Sequence, residues 1–239
     1  MATNERFHHC GVDLEVDSSA LSDNIRVALK KGRYERAEAK EVQRILQYRE
    51  RVLEVGAGIG FISTLTAKSP QVEALRVYEA NPDLCRIIEH NHKLNRVEGV
   101  EVFQGVLANG PELGAVDFYR RQDFWASSLS PKPWGYKDVV SVPQYSFAEA
   151  VEGFAPTVIV CDIEGGELEL FRNANLRGVE KVLVEVHQQI LGRPGIKALF
   201  DAFQARDFHY DQHHSNGSVV LFSHIQRDEM RKRRQHADD

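Results

Sequence analysis

The chain has 239 residues, of which 42% are hydrophobic and 27% charged, and its formal net charge is -5. This composition is that of a globular protein and excludes a disordered or fibrous chain, while the acidic balance makes nucleic acid a poor electrostatic partner. There is no apolar run of membrane-spanning length and no secretion signal, and the three cysteines form no CxxC pair. We therefore expect a cytoplasmic protein with reduced thiols, no membrane insertion and no zinc site.

The first part of the chain, residues 1–50, has mainly helical patterns. Apolar residues recur at helical spacing over 18–31, where Ser18 or Ser19 can cap the start, and again over about 35–49. We predict an N-terminal helical segment that packs on the core.

From residue 51 onward, short apolar runs alternate with helical patterns. The runs stand at 51–55, 74–80, 99–105, 157–167 and 181–187. Such alternation is typical of a parallel sheet, and two further extended runs predict a hairpin at its end. We therefore predict one α/β domain over 51–225, containing a β-rich insertion or lid at 106–143, followed by a charged flexible tail at 226–239.

The stretch RVLEVGAGIGFISTLTAK, residues 51–68, has three glycines in five residues directly after an apolar run. A dinucleotide-binding loop has the pattern G-x-G-x-x-G, but Phe61 occupies the position of its third glycine. Glu54, just before the first glycine, would repel a phosphate. The loop therefore favours a ligand with a cationic end, and we expect its glycines to make room for that end.

Glu79 closes the next apolar run, about twenty residues after the glycines, where an acid can accept hydrogen bonds from two ribose hydroxyls. Together with the acidic glycine loop, it favours S-adenosylmethionine. An NAD(P)-dependent oxidoreductase and a catalytically silent cofactor-binding protein remain alternatives. We expect the cofactor to contact Glu54, Gly56, Ala57, Gly58, Gly60, Phe61, Glu79, Ala80, Asn81, Gly105, Val106 and Asp162.

Five motifs together resemble one known family. They are VLEVGAGIGFIS, VYEANPDLCRIIEHNHKLN, SSL at 127–129, CDIEGGELELF and VLVEVH. The chain resembles, from about 34 to 224, the FkbM family of class I S-adenosylmethionine-dependent methyltransferases. The resemblance implies a Rossmann-like, seven-stranded, mostly parallel sheet with an antiparallel last strand and helices on both faces. It also implies methyl transfer to an oxygen, often a hydroxyl of a sugar or natural product.

Acidic residues and a histidine follow the fourth and fifth runs, where an open parallel sheet places its ligands. We expect Asp162, Glu164 and His187 to be catalytic, with only one of the two acids facing the reaction because side chains alternate. His187 has an ordinary pKa suited to a base near neutral pH, and Glu167 is expected to be part of a helix cap. With Glu185 these residues could also hold a divalent cation, although we expect no metal.

The acceptor pocket is predicted in the insertion and before the first run. Ser127, Ser128 and Trp125 lie in an irregular stretch of the kind that often forms a lid, and Tyr34 can close over the site from the other side. We expect a small-molecule or glycan acceptor and no nucleic acid. The oligomeric state stays open, a homodimer included.

Overall fold

A computed structural model describes residues 4–110 and 114–237. The strands are β1 (Asn4–His9), β2 (Val12–Asp17), β3 (Glu50–Val55), β4 (Val72–Glu79), β5 (Glu101–Gln104), β6 (Val106–Ala108), β7 (Ala115–Arg120), β8 (Asp138–Ser146), β9 (Val158–Cys161), β10 (Lys181–Glu185), β11 (Phe208–Tyr210) and β12 (Val219–His224). The helices are α1 (Asp23–Lys30), α2 (Arg36–Ile45), α3 (Phe61–Ala67), α4 (Pro82–Leu94), α5 (Phe147–Phe154), α6 (Glu167–Phe171), α7 (Gln188–Gln204) and α8 (Arg227–Ala237). No helix in these two ranges is both long and apolar enough to cross a lipid bilayer.

The main sheet of the described chain has seven strands in the order β11-β12-β10-β9-β3-β4-β5. Strand β12 runs antiparallel to both of its neighbours, and the remaining pairs are parallel. Along β3, Val52 packs into one core and Leu53 into the other, because successive side chains of a strand point to opposite faces. The predicted fold, a mostly parallel sheet with helices on both faces and an antiparallel last strand, is confirmed.

A separate three-stranded sheet, in the order β6-β8-β7, lies within the expected insertion at 106–143 and extends to Ser146. Its residues Phe118 and Val142 pack against Ala80, the residue that directly follows β4. The small sheet therefore adjoins the carboxyl end of the main sheet. In an open parallel sheet, ligands bind at that end.

The N-terminal segment differs from the prediction, because residues 4–17 form the antiparallel hairpin β1-β2 ahead of the two helices. In β2, Val12, Leu14 and Val16 are buried, so the apolar residues alternate with acidic ones at the spacing of a strand. The predicted cap is also wrong. The residues before α1 form a short 3-10 turn, and the Ser22 hydroxyl accepts the hydrogen bond that caps the helix.

The expected flexible tail at 226–239 contains helix α8, although residues 238–239 lie outside the described chain. Arg234 of this helix donates to a carboxylate oxygen of Glu180 at 2.9 Å and lies 3.4 Å from one of Glu50. Both acids are buried. A buried carboxylate needs a partner, so these contacts hold the helix against the start of the main sheet.

Candidate active site

A cavity of about 350 Å³ lies beside the carboxyl ends of β3, β4 and β9. This volume is within the usual range of small-molecule sites. The glycine loop after β3 and residues 124–130 of the insertion both contribute to the wall of the cavity. A second, much smaller cavity of about 20 Å³ adjoins Gly56 and Asp162, which line both.

The three glycines of the loop all have positive φ, at 80°, 55° and 79° for Gly56, Gly58 and Gly60. A Cβ atom at Gly56 would stand 1.7 Å from the Asp162 carbonyl oxygen, and one at Gly58 would stand 2.6 Å from the Tyr34 hydroxyl. At Gly60 a Cβ would crowd the α4 backbone at Ile88, 3.1 Å away. The positive φ angles and the close contacts within the chain both require glycine at these positions. The expected approach of a ligand to Gly56 and Gly58, which line the main cavity, stays a prediction.

Glu79 lies where the sequence predicted, at the end of β4 in the wall of the main cavity. Its side chain accepts hydrogen bonds from the backbone N–H groups of Ala57 and Gly58, both at 3.0 Å, and from that of Asn81 at 2.8 Å. These bonds fix the glycine loop against the start of α4. A carboxylate has about four acceptor positions, so Glu79 retains capacity for a ligand hydroxyl.

The predicted cofactor residues divide into two groups. Those that line the main cavity are Gly56, Gly58, Glu79, Ala80, Gly105, Val106 and Asp162. Those that do not line it are Glu54, Ala57, Gly60, Phe61 and Asn81. Phe61 is fully buried and stacks on His9 of the N-terminal hairpin, and the Asn81 side chain caps α4. The second group therefore packs against the side of the glycine loop that faces away from the main cavity. Glu54 is an exception, because it lines the small cavity.

Glu54 lines the small cavity, together with Glu35, Glu38, Asp162 and Glu185. It is 1% exposed, and its Oε2 has no hydrogen-bond partner. Burial, together with the charge of nearby Glu79, raises the pKa of Glu54 to about 8. Burial and the charge of Glu185 raise the pKa of Glu38 to about 7. The small cavity is therefore strongly acidic and suited to a cation.

His187, which follows β10, is buried among carboxylates. Its Nδ1 lies 2.7 Å from Glu167 Oε1, and its Nε2 lies 3.3 Å from Glu164 Oε2 and 3.7 Å from Asp162 Oδ1. Burial alone would lower the pKa of His187, but the surrounding carboxylates outweigh it and raise that pKa to about 11. The expectation of a base with a near-neutral pKa is therefore wrong. In the absence of another cation the imidazole is protonated at neutral pH.

The acid pair Asp162 and Glu164 lies just after β9. Glu164 has a φ of 52°, in the left-handed region that side-chain-bearing residues rarely adopt. Both acids line the main cavity, where only one was expected. That expectation misapplied strand alternation, because residues two apart in a strand point to the same face. Burial and the charge of Glu185 raise the pKa of Asp162 well above its ordinary value. Glu167 accepts a hydrogen bond from the Gly165 N–H at 2.9 Å, as a capping residue does, in addition to its contact with His187.

The four residues predicted for the acceptor, Tyr34, Trp125, Ser127 and Ser128, all line the main cavity. Tyr34 and Trp125 stack with their ring centroids 6.1 Å apart, which joins the N-terminal segment to the insertion. A bridge between Tyr119 and Ser128 ties the serine-containing loop to β7.

A model of the Methyltransferase FkbM domain matches residues 54–217, more than half of the chain. The chain belongs to the FkbM methyltransferase family. The family is one of methyltransferases that use S-adenosylmethionine as cofactor, and membership in it decides against the oxidoreductase alternative. A comparison with curated protein sequences finds no match.

One solved structure supports the fold of this FkbM-family protein, and a second, with a TM-score below 0.5, is a likeness that carries no argument. The chain is similar to Trm5b from Pyrococcus abyssi, with 14% identity and a TM-score of 0.53 over 93% of this chain and 56% of that chain. It therefore spans little more than half the length of that protein. It is also similar to TYW2 of M. jannaschii, solved in complex with AdoMet, with 15% identity and a TM-score of 0.46 over 94% of this chain and 88% of that one. At such identity the likeness concerns the architecture alone.

The residues of the FkbM-family protein fit this cofactor. S-adenosylmethionine has a sulfonium and an ammonium group at one end of an adenosine, and the cavity end beside the glycine loop has buried, unpaired oxygens. These oxygens, which form no hydrogen bond, are Glu35 Oε2 and Asp162 Oδ1 of the main cavity. Unsatisfied buried acceptors of this kind match a ligand that carries positive charge.

One polar residue that sequence reasoning missed is Arg121, whose buried guanidinium holds the serine loop. It donates to the carbonyl oxygens of Ala126 at 2.8 Å and Ser130 at 2.7 Å, and to the Ser128 hydroxyl at 3.0 Å. The Arg121 N–H in turn donates to the Ser127 hydroxyl. Nothing in the sequence distinguishes this arginine from Arg120 beside it, which pairs with Asp138 at the surface.

Apolar residues of the main cavity were missed as well. They are Tyr78, Leu84, Phe118, Phe124, Leu129, Ile163 and Ile190. Several of them follow a predicted strand end or stand in the predicted insertion, so the rule that ligands gather at strand ends could have found them. Ile190 could not be found in this way, because it comes from the first turn of α7.

Proposed function

We propose that the protein methylates a hydroxyl oxygen of a small molecule, sugar or natural product. The observation that supports this most is the continuous cavity, which runs from the glycine loop and Glu79 to the serine loop and has Asp162 and Glu164 in its wall. A donor near the glycine loop and an acceptor near the serine loop would then meet beside the two acids. Positioning of this kind is the main requirement of a methyl transfer.

In this proposal Gly56, Gly58, Glu79, Gly105 and Val106 hold the cofactor. When bound, the cofactor supplies a methyl group on a positively charged sulfur, and the leaving carbon–sulfur electron pair remains on that sulfur. The acceptor oxygen forms the new bond to the methyl carbon and loses its proton to a carboxylate. Asp162 and Glu164 are the carboxylates that we assign to orient the hydroxyl and to receive the proton.

His187 acts on this reaction through other residues. It is not among the residues of the main cavity, but its Nε2 faces the carboxylates of both Asp162 and Glu164. It therefore holds the acid pair in place, with Glu167 fixing the opposite side of its ring. We assign it the role of a positioning residue.

The chemistry of the cavity wall favours a small acceptor over RNA. None of the described residues that line the main cavity is a lysine or an arginine, whereas Glu35, Glu79, Asp162, Glu164 and Glu169 are acidic. A polyanion binds mainly through cationic side chains, so this wall repels it. Aromatic rings and the serine hydroxyls suit a neutral or cationic molecule with both apolar surface and hydroxyl groups.

The proposal is tested by calorimetry followed by methyl-transfer assays. We expect the purified chain to bind S-adenosylmethionine and its demethylated product, and to transfer labelled methyl to at least one member of a panel of hydroxylated metabolites. A parallel assay offers unmodified tRNA. Methyl transfer to tRNA but to no hydroxylated metabolite contradicts the proposed acceptor. Cofactor binding without transfer to any acceptor would favour the catalytically silent alternative.

A further inference from the structure

The small cavity is lined by more carboxyl groups than the described chain pairs with cationic side chains. Five carboxyl groups line it, from Glu35, Glu38, Glu54, Asp162 and Glu185. Among the described residues, the only ion pair that any of these five forms is that of Asp162 with His187. No lysine or arginine in those ranges pairs with them. S-adenosylmethionine adds a sulfonium, an ammonium and a carboxylate, hence one net positive charge, which leaves the excess largely in place.

Three of the groups beside this cavity have the arrangement of metal ligands. One oxygen of Asp162, one oxygen of Glu185 and one ring nitrogen of His187 lie within 4.8 Å of one another. Ligand atoms of a single octahedral ion, at about 2.1 Å from the metal, are separated by roughly 3 to 4.2 Å. A small adjustment of these side chains therefore brings all three onto one ion.

The orientation of His187 suits this use. Its Nδ1 lies 2.7 Å from Glu167 Oε1, and the same oxygen accepts a hydrogen bond from the Gly165 N–H. With its proton on Nδ1, the ring directs the Nε2 lone pair to the side where Glu164, at 3.3 Å, and Asp162, at 3.7 Å, both lie. A carboxylate that holds the far nitrogen of a histidine is the usual support of a metal-binding imidazole.

An independent observation comes from Glu54, which is not one of the three candidate ligands. Its side chain is almost completely buried in the wall of the small cavity, and its Oε2 has no hydrogen-bond partner. The cavity volume of about 20 Å³ is enough for one water-sized occupant. A buried acceptor without a donor at a space of this size indicates a small bound cation or its water.

We propose that Asp162, Glu185 and His187 bind one divalent first-row metal ion, with Mn²⁺ as the representative, and that Glu54 accepts a hydrogen bond from a water on that ion. Two carboxylates and one imidazole are a ligand set that manganese accepts readily. This proposal replaces the expectation from the sequence that there is no metal. It concerns ion binding by the chain itself and does not depend on the identity of the methyl acceptor.

The test measures Mn²⁺ binding by electron paramagnetic resonance on the full chain after treatment with a chelator and without cofactor. We expect one bound Mn²⁺ per chain, with affinity at least tenfold weaker in Glu185→Gln and in Asp162→Asn. Glu169→Gln, which changes an exposed acid of the main cavity, is the matched control and should bind like the wild type. Circular dichroism and thermal melting verify that each variant is folded.

Three outcomes overturn the proposal. The first is the absence of Mn²⁺ binding to the wild-type chain at millimolar concentration. The second is unchanged binding in whichever of Glu185→Gln and Asp162→Asn is folded; if neither folds, the comparison moves to Glu54→Gln, for which a several-fold loss is expected and unchanged affinity counts against the site. The third is complete release of Mn²⁺ by S-adenosylmethionine, because the acids then serve the ammonium group instead. Since the measurement needs no turnover, failure of methyl transfer leaves its result intact.

Discussion

Buried acidic side chains have partners at the amino ends of β3 and β10, whereas several carboxylate oxygens at the carboxyl ends of the same strands have none. At the amino ends of β3 and β10, Lys181 donates to Glu50 at 2.6 Å and to the carbonyl oxygen of Ile45 at 2.7 Å, while Thr157 donates to the other oxygen of Glu50. Arg234 adds a second cation from helix α8. Here each buried acid has a cationic or hydroxyl partner from a different element.

At the carboxyl ends, 54–55 and 185–187, acids accumulate around one histidine and several oxygens have no donor. A buried polar group without a partner destabilises the native state. Such groups therefore persist mainly where they serve a function such as ligand binding. The comparison separates two roles. We call the amino ends, where Glu50 and Glu180 have partners, the matched end, and we infer that it stabilises the sheet. The carboxyl ends, where several buried oxygens have no donor, are the unmatched end, and we infer that they bind ligands.

The largest effect is expected at the unmatched end, from Glu54→Gln. The pKa of Glu54 rises from an ordinary 4.5 to about 8 in the folded chain. Between those pH values the native state holds a proton that the unfolded state has lost, so the wild type loses stability as pH rises through this window. The loss is on the order of 4 kcal/mol. We therefore expect the free energy of unfolding of the variant to rise progressively relative to that of the wild type between pH 5 and pH 9.

This gain is measured as the difference in free energy of unfolding in urea at pH 5, 7 and 9, on chains freed of metal and cofactor. A difference between variant and wild type that is the same at pH 5 and pH 9 contradicts the assignment of an unpaired carboxyl group. Glu73→Gln, at an acid that Arg49 pairs with near the surface, serves as the control.

At the matched end, Lys181→Met should lower the free energy of unfolding by about 3 kcal/mol, because it leaves Glu50 buried with one cation fewer. Lys181 is 2% exposed and Glu50 is fully buried. The control is Lys197→Met, which removes an exposed pair with Asp201 and should change stability much less. Equal losses in the two variants, measured by chemical denaturation at pH 7, would mean that the matched cluster is not what stabilises the sheet.

Asp162→Asn should lower turnover without lowering the free energy of unfolding. The side chain keeps its shape but loses its charge, so turnover should fall by a factor on the order of a hundred, the scale of a positioned acid-base group. The free energy of unfolding should not fall, because one acid of an acidic cluster has been neutralised. The measurements are label transfer to an acceptor found in the metabolite panel and urea unfolding. Wild-type turnover in a folded variant would exclude Asp162 from the reaction.

Glu79 is a mixed case, since backbone N–H groups satisfy it in place of side-chain cations. Glu79→Ala removes the acceptor of the glycine loop and of the proposed ribose contact, so the affinity for S-adenosylmethionine should fall about tenfold or more. Calorimetry compares it with Glu101→Ala, at an exposed acid paired with Arg76 on the neighbouring strand. If both variants bind the cofactor like the wild type, Glu79 is not a cofactor residue.

The sequence predicts the sheet, the glycine loop and the position of Glu79 because each depends on local signals. Apolar runs, capping residues and turn glycines act within a few residues of one another. It cannot predict the matched end, where Lys181 and Glu50 are 131 residues apart and Arg234 is 184 residues from Glu50. No spacing rule connects charges that only the finished sheet brings together.

The site at the carboxyl ends of the strands is only partly predictable from the sequence. The rule that ligands gather at strand ends selects Asp162, Glu164 and His187, and the structure brings these three side chains together, while their catalytic role stays a prediction. It does not predict the pKa of His187, which depends on how many carboxylates face one ring, nor the left-handed backbone of Glu164. The intrachain role of Gly56 could not be foreseen for a related reason, because the atom that excludes a side chain there belongs to Asp162, about a hundred residues later and just after β9.

The contact at Gly56 also bears on attempts to re-engineer the enzyme by exchanging segments with other methyltransferases. The loop backbone passes so close to residue 162 that a Cβ at Gly56 would stand 1.7 Å from the Asp162 carbonyl oxygen. A hydrogen bond from the Asp162 N–H to the Val55 carbonyl oxygen, at 2.9 Å, joins the same two segments. A segment exchange over residues 54–60 therefore has to keep glycine at position 56 for as long as residues 161–166 follow this backbone path, because any Cβ there would collide with the Asp162 carbonyl oxygen.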